Sequence, residues 1–106
     1  MWIFLKNSFL SIVDKGDPTG QTLLVRARRK GDIERVFPDA QVIEGGGTDY
    51  AFRASIDREQ VAQTMADQVR AIRTPNFKNT VTEPGRHDAY MDVWAAMLHY
   101  QGQPRN

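Results

Sequence analysis

The chain has no cysteine and only two histidines among its 106 residues. The first absence removes thiol nucleophiles, thiolate metal ligands and disulfides, and it fits a reducing, cytoplasmic setting. Neither charge sign dominates. Fourteen basic residues against thirteen acidic ones leave a net charge of +1, so the protein is no bulk electrostatic binder of nucleic acid. Long apolar runs are missing as well. The opening MWIFLKNSFLSIV is split by Lys6, Asn7 and Ser8, which is too short and interrupted for a bilayer span and lacks the charged start and cleavage site of a signal peptide. What remains is a globular composition, 41% hydrophobic and 25% charged, in a chain long enough to bury roughly two-thirds of its unfolded surface as one domain. A single domain over residues 1–106 is expected, with a loose tail at about 101–106.

Periodicity supplies the elements. Trp2 to Leu5 and Phe9 to Val13 flank Lys6-Asn7 as the arms of a hairpin. DKGDPTGQ is dense in turn formers. Thr22 to Arg28 alternates, with Leu23, Val25 and Ala27 on one side and Leu24, Arg26 and Arg28 on the other. Ile33, Val36 and Phe37 have helical spacing, and Pro38 ends that helix. Gln41 to Glu44 reads as a brief strand, GGGT as a flexible connection, and Tyr50 to Ile56 as a strand with Tyr50, Phe52, Ala54 and Ile56 facing the core. Asp57 is the expected N-cap of the next helix, with Gln60 three residues on. Thr74-Pro75 opens a short helix, or else Asn79 to Thr82 forms a strand. The last helix, after Gly85, places Tyr90, Met91, Trp94, Met97 and Leu98 in a stripe expected to dock in the core, with Trp94 largely buried. Strands in adjacent pairs imply an α+β fold: a largely antiparallel sheet with helices packed on one face, ferredoxin-like in spirit.

The chemistry-bearing candidates are few. LLVRARRKGDIERVF carries four basic residues in five, Arg26 to Lys30. Alternation puts Arg26 and Arg28 on the strand side away from Val25. Arg53 joins them if its strand is a neighbour, and Lys30 lies just beyond. Arginine offers a planar fork of donors for phosphate or carboxylate. The competing reading is a solvated strand face whose field Asp32 and Glu34 dilute, and charge runs without a motif favour it. An RNA-binding sheet would need Tyr50 and Phe52 exposed for stacking, but their alternation with Ala54 and Ile56 points inward. EGGGTDY lacks the lysine and the strand-to-helix context of a phosphate loop. His87 and Asp88 adjoin, but His99 is the only other histidine and falls off that face, so no metal site is read and no cofactor is expected. No nucleophile elbow or triad context is present, so no catalytic residue is named. Tyr100, near the end of the last helix, is the aromatic expected to be exposed.

Taken in order, MWIFL, FLSIV, LLVRAR, GDIERVFP, DYAFRASI, NFKNTV and RHDAYMDVWAAM resemble a widespread group of small bacterial and phage cytosolic proteins without an assigned activity. The resemblance spans nearly the whole chain and implies a bacterial or phage origin, but it carries over no site residue. The leading expectation is a small non-enzymatic module that binds a protein partner, such as an inhibitor or adaptor of anti-CRISPR type in host–phage conflict. The candidate binding residues are Arg26, Arg28, Lys30, Arg53 and Tyr100. An RNA- or DNA-binding module on the arginine face is the alternative, and a small enzyme with an unrecognised site the third. No membrane partner is expected, and nothing in the sequence indicates an oligomeric state.

Overall fold

Lys6 and Asn7 close a two-residue turn between β1 (Trp2–Leu5) and β2 (Ser8–Val13), and that turn fixes the pairing Leu5 to Ser8, Phe4 to Phe9, Ile3 to Leu10 and Trp2 to Ser11. The computed structural model describes residues 1–45 and 49–103. It divides into two compact units, residues 1–73 and 74–106.

The first unit is built on β1, β2, β3 (Thr22–Ala27), β4 (Ile43–Glu44) and β5 (Phe52–Asp57). These form one antiparallel sheet in the order β1-β2-β3-β5-β4. The expected α+β architecture is present, and α1 (Asp32–Val36) and α2 (Arg58–Arg70) pack on one face of the sheet. β1, β2 and β3 are neighbours in sequence order, but β5 lies between β3 and β4, so the sheet is not a plain meander, and the ferredoxin-like expectation extends no further than helices on one face. The connections explain why. The turn Asp17–Gly20 is too short to carry a crossover, so β3 returns beside β2, whereas α1 lets β4 land one strand further out.

One residue in two from each central strand meets the helices. Leu10 and Ile12 of β2, Val25 and Ala27 of β3, and Ala54 and Ile56 of β5 cluster with Ile33, Val36, Phe37 and Val61. Asp32 is a carboxylate inside this layer, 1% exposed. Its Oδ2 accepts from the Phe9 backbone N–H at 3.0 Å, and its Oδ1 accepts from Arg35 at 2.9 Å. Arg35 also donates to the Asn7 carbonyl, so α1 is tied to the tip of the hairpin. The Asp32 charge is therefore spent on the core side and does not dilute the arginine face as the sequence suggested. Asp57 caps α2 as expected, its carboxylate accepting from Gln60 N–H at 3.1 Å. Arg58 then reaches back to Asp14 and to the Gly20 carbonyl, holding the loop before β3 against the start of α2.

Several boundaries shift. β4 keeps two of its four expected residues, and Tyr50 lies in a bend before β5 rather than in the strand. Of the GGGT connection, Gly45 adopts a left-handed φ of 88°, and residues 46–48 lie outside the described residues, as do residues 104–106 of the tail.

The second unit holds a 3₁₀ turn, Lys78–Thr80, and α3 (Pro84–Gln101). The turn replaces both readings of residues 75–82. Glu83 caps α3 by accepting from the backbone N–H groups of Gly85 and Arg86, and Pro84 sits in the first turn, where its missing N–H costs nothing. Phe77 stacks on Tyr90 at 6.0 Å between ring centroids, and Lys78 Nζ lies 4.6 Å over the Trp94 ring. The expected buried stripe is not formed. Trp94 is 47% exposed, Met97 and Leu98 are exposed, and no α3 residue is buried. Within its unit, α3 has only a three-residue turn and the segment leading to it for company, too little to cover an 18-residue helix.

Candidate binding face of the sheet

Because side chains alternate along a strand, the residues between the core positions all point to the other face. That face, turned away from α1 and α2, carries Trp2 and Phe4 from β1, Phe9, Ser11 and Val13 from β2, and Leu24 and Arg26 from β3. Thr22 of β3 and Arg53, Ser55 and Asp57 of β5 complete it. The registers align them in cross-strand rows. One row reads Trp2, Ser11, Arg26, Arg53, Ile43.

The arginines are brought together as the sequence anticipated. Arg26 and Arg53 stand directly opposite one another on β3 and β5. Arg26 donates to Ser11 Oγ at 2.7 Å, and its guanidinium carbon lies 4.5 Å from the centroid of the Tyr50 ring. Arg28, just past the end of β3, lies 4.2 Å from the same centroid and forks onto the Asp49 carboxylate with two contacts of 3.3 Å. Arg53 donates to the Gly45 carbonyl at 3.2 Å. Hydrogen bonds from Arg28, with its charge, hold the Asp49 carboxyl below the usual carboxylate range, and the same pairing pushes the Arg28 guanidinium up. Lys30 is exposed in the turn between β3 and α1, outside the row. Tyr100 belongs to the second unit, exposed on the last turn of α3.

Tyr50 is buried as expected, but not as part of the strand. It is 5% exposed, yet it is absent from the apolar core cluster and lies under the two arginines. Its parity with Phe52 counts only inside a strand, and the bend before β5 breaks the alternation. Phe52 itself is half-buried against the core, as expected.

The aromatics that the sequence reading left unassigned come from the hairpin. Trp2 is 68% exposed. Its ring meets Phe9 edge-on at 6.2 Å, and Phe4 lies against Phe9 at 4.6 Å. Ser11, buried between Trp2 and Arg26 in the row, joins the aromatic half of the face to the basic half. The signal was present in the hairpin: a two-residue turn pairs Phe4 with Phe9, which puts both on the side opposite Leu10.

Among the described residues no three His, Asp or Glu side chains gather as metal ligands would, and His87 Nδ1 lies 3.9 Å from Asp88. No described helix is long and apolar enough to cross a membrane. Comparison with protein families, with curated proteins and with solved structures gives no match.

Proposed function

We propose that the protein is a non-enzymatic binding module that presents to a partner the face of its sheet turned away from α1 and α2. The observation that carries this reading is the continuous row from exposed Trp2 through Ser11 to Arg26 and Arg53, flanked by Phe9 and by Arg28 on Tyr50. A large aromatic left in water beside clustered guanidiniums is costly to solvate and useful to a partner, and Trp, Tyr and Arg anchor both protein interfaces and nucleic-acid platforms. Asp17 is held by the hydrogen bonds of its own turn, and Asp49 and Arg28 by each other. Each shift is accounted for by a local structural contact rather than by a charge partner in a cleft. A chain of this size that binds without turnover fits an inhibitor or adaptor.

The test compares three immobilised full-length proteins in a bacterial lysate, reading both captured protein and captured nucleic acid: wild type, Trp2→Ala with Arg26→Gln, and Gln68→Ala on the exposed side of α2. A species held by wild type and the α2 variant but lost from the sheet variant is the expected result. Capture that ignores the sheet substitutions overturns the reading.

A further inference from the structure

The unit of residues 74–106 is shorter than the roughly 40 residues below which a folded unit usually needs a disulfide, a metal or association with another chain. The chain has no cysteine, and no metal-ligand cluster exists among the described residues. Val81 is the only buried hydrophobic residue described in this unit. α3 itself buries nothing, although its stretch from Ala89 to Leu98 carries a single charged residue, Asp92. A helix this apolar all round belongs in contact with other surface. Its large apolar positions are symmetric about Trp94. Tyr90 and Met91 stand four and three residues before it, and Met97 and Leu98 three and four after. At 3.6 residues per turn all five share one face, ended by His87 and Gln101. Asp88 and Asp92 lie roughly 120° and 160° round the helix from Trp94, so no acid, lysine or arginine stands at any position of the stripe. Trp94 is half exposed, and Met97 and Leu98 are 58% and 50% exposed.

We propose that α3 pairs antiparallel with α3 of a second copy of this chain, with the two-fold axis at Trp94. The symmetry of the stripe selects this occupant. A two-fold interface must be complementary to itself, so residues before the axis meet those an equal distance after it. About Trp94, Tyr90 and Met91 of one copy meet Met97 and Leu98 of the other, and His87 meets Gln101. Apolar groups face apolar groups and polar groups face polar ones. The two Trp94 rings pair on the axis beside methionine thioethers, which pack well against aromatic rings. Antiparallel helices also oppose their dipoles, which a parallel pair would align. The net charge of +1 adds little repulsion between copies. One local charge opposes the pairing: Lys78, whose Nζ lies 4.6 Å over the Trp94 ring and is brought toward its own mate. The 18-residue helix is about 27 Å long and about 10 Å across, so one face covers on the order of 300 Å², below the roughly 800 Å² a side of a standard interface. The dimer is therefore weak and depends on concentration.

Sedimentation equilibrium of the full-length chain from about 10 μM to about 1 mM, the span of weak contacts, should show monomer passing into dimer. Added salt should tighten the dimer, because it screens Lys78 from its mate and no ion pair holds the stripe. The chain has two tryptophans, so Trp2→Phe leaves Trp94 as the sole reporter. That variant should still dimerise, and its emission should move to shorter wavelength over the same concentrations. Trp94→Asp should weaken association by about 30-fold or more, the loss of a central aromatic anchor, and leave monomer throughout. Leu98→Lys, half exposed and off the axis, should also weaken it, and keeps the proposal testable if Trp94→Asp disturbs the fold. A chain that stays monomeric at about 1 mM overturns the inference. So does a dimer that survives both α3 substitutions, since it lies on another surface. A dimer that salt loosens is held by charge, and overturns it as well.

Discussion

Asp17 shows how much one exposed carboxylate can organise. Its two oxygens accept from the backbone N–H and hydroxyl of Thr19 and from the backbone N–H and hydroxyl of Thr22, at 2.6–2.9 Å. These donors, with the Thr19 hydroxyl foremost, hold its carboxyl far below the usual carboxylate range. A lowered folded-state value means the stabilisation is fully present above the unfolded pKa of about 3.9 and is lost as pH falls below it. The melting temperature of wild type should therefore exceed that of Asp17→Asn at pH 7, and the gap should narrow between pH 4 and pH 2; a gap independent of pH would show that the carboxylate charge is not what the turn uses. The turn was legible because Asp-Pro-Thr-Gly is local chemistry. Tyr50 was not, since its partners Arg26 and Arg28 are far off in sequence and its backbone leaves the strand pattern two residues early.

Elements follow the same division between near and far. The hairpin, β3, α1, β5 and α2 were readable from alternation, helical spacing and caps, because each signal lies within a few residues. Asp57 is the clearest case. It ends β5 and accepts from Gln60 N–H, satisfying one of the open donors of α2. Asp57→Ala should lower stability by about 1 kcal/mol in urea unfolding with an unchanged denaturant slope. The same reasoning failed for α3. A stripe of Tyr90, Met91, Trp94, Met97 and Leu98 states that a helix could bury a face, not that anything in its unit is large enough to cover it. Register was also hidden. The pairing of Ser11 with Arg26 depends on the length taken up by the loop from Asp14 to Gln21, and only the folded sheet shows that Trp2 and Arg26 flank one serine.

At the scale of the molecule, a net charge of +1 means that whole-chain repulsion contributes little, so the response to salt reports local charge. Two local terms then oppose each other. The directly opposed Arg26 and Arg53 repel, and raising salt from low to physiological shortens the Debye length from about 30 Å to about 8 Å and weakens that repulsion. The surface pair Arg28–Asp49 is weakened by the same salt, but exposed pairs of this kind contribute only about 0–1 kcal/mol. Comparing wild type with Arg53→Gln removes one partner of the first term and keeps Arg28–Asp49 in both. At low salt the variant is relieved of the repulsion and loses the contacts of the guanidinium, the hydrogen bond to the Gly45 carbonyl among them. Rising salt should then stabilise wild type relative to Arg53→Gln by up to about 0.5 kcal/mol, read as a change in the difference of their urea midpoints. A salt-independent difference between the two proteins would mean that the repulsion is already compensated within the fold.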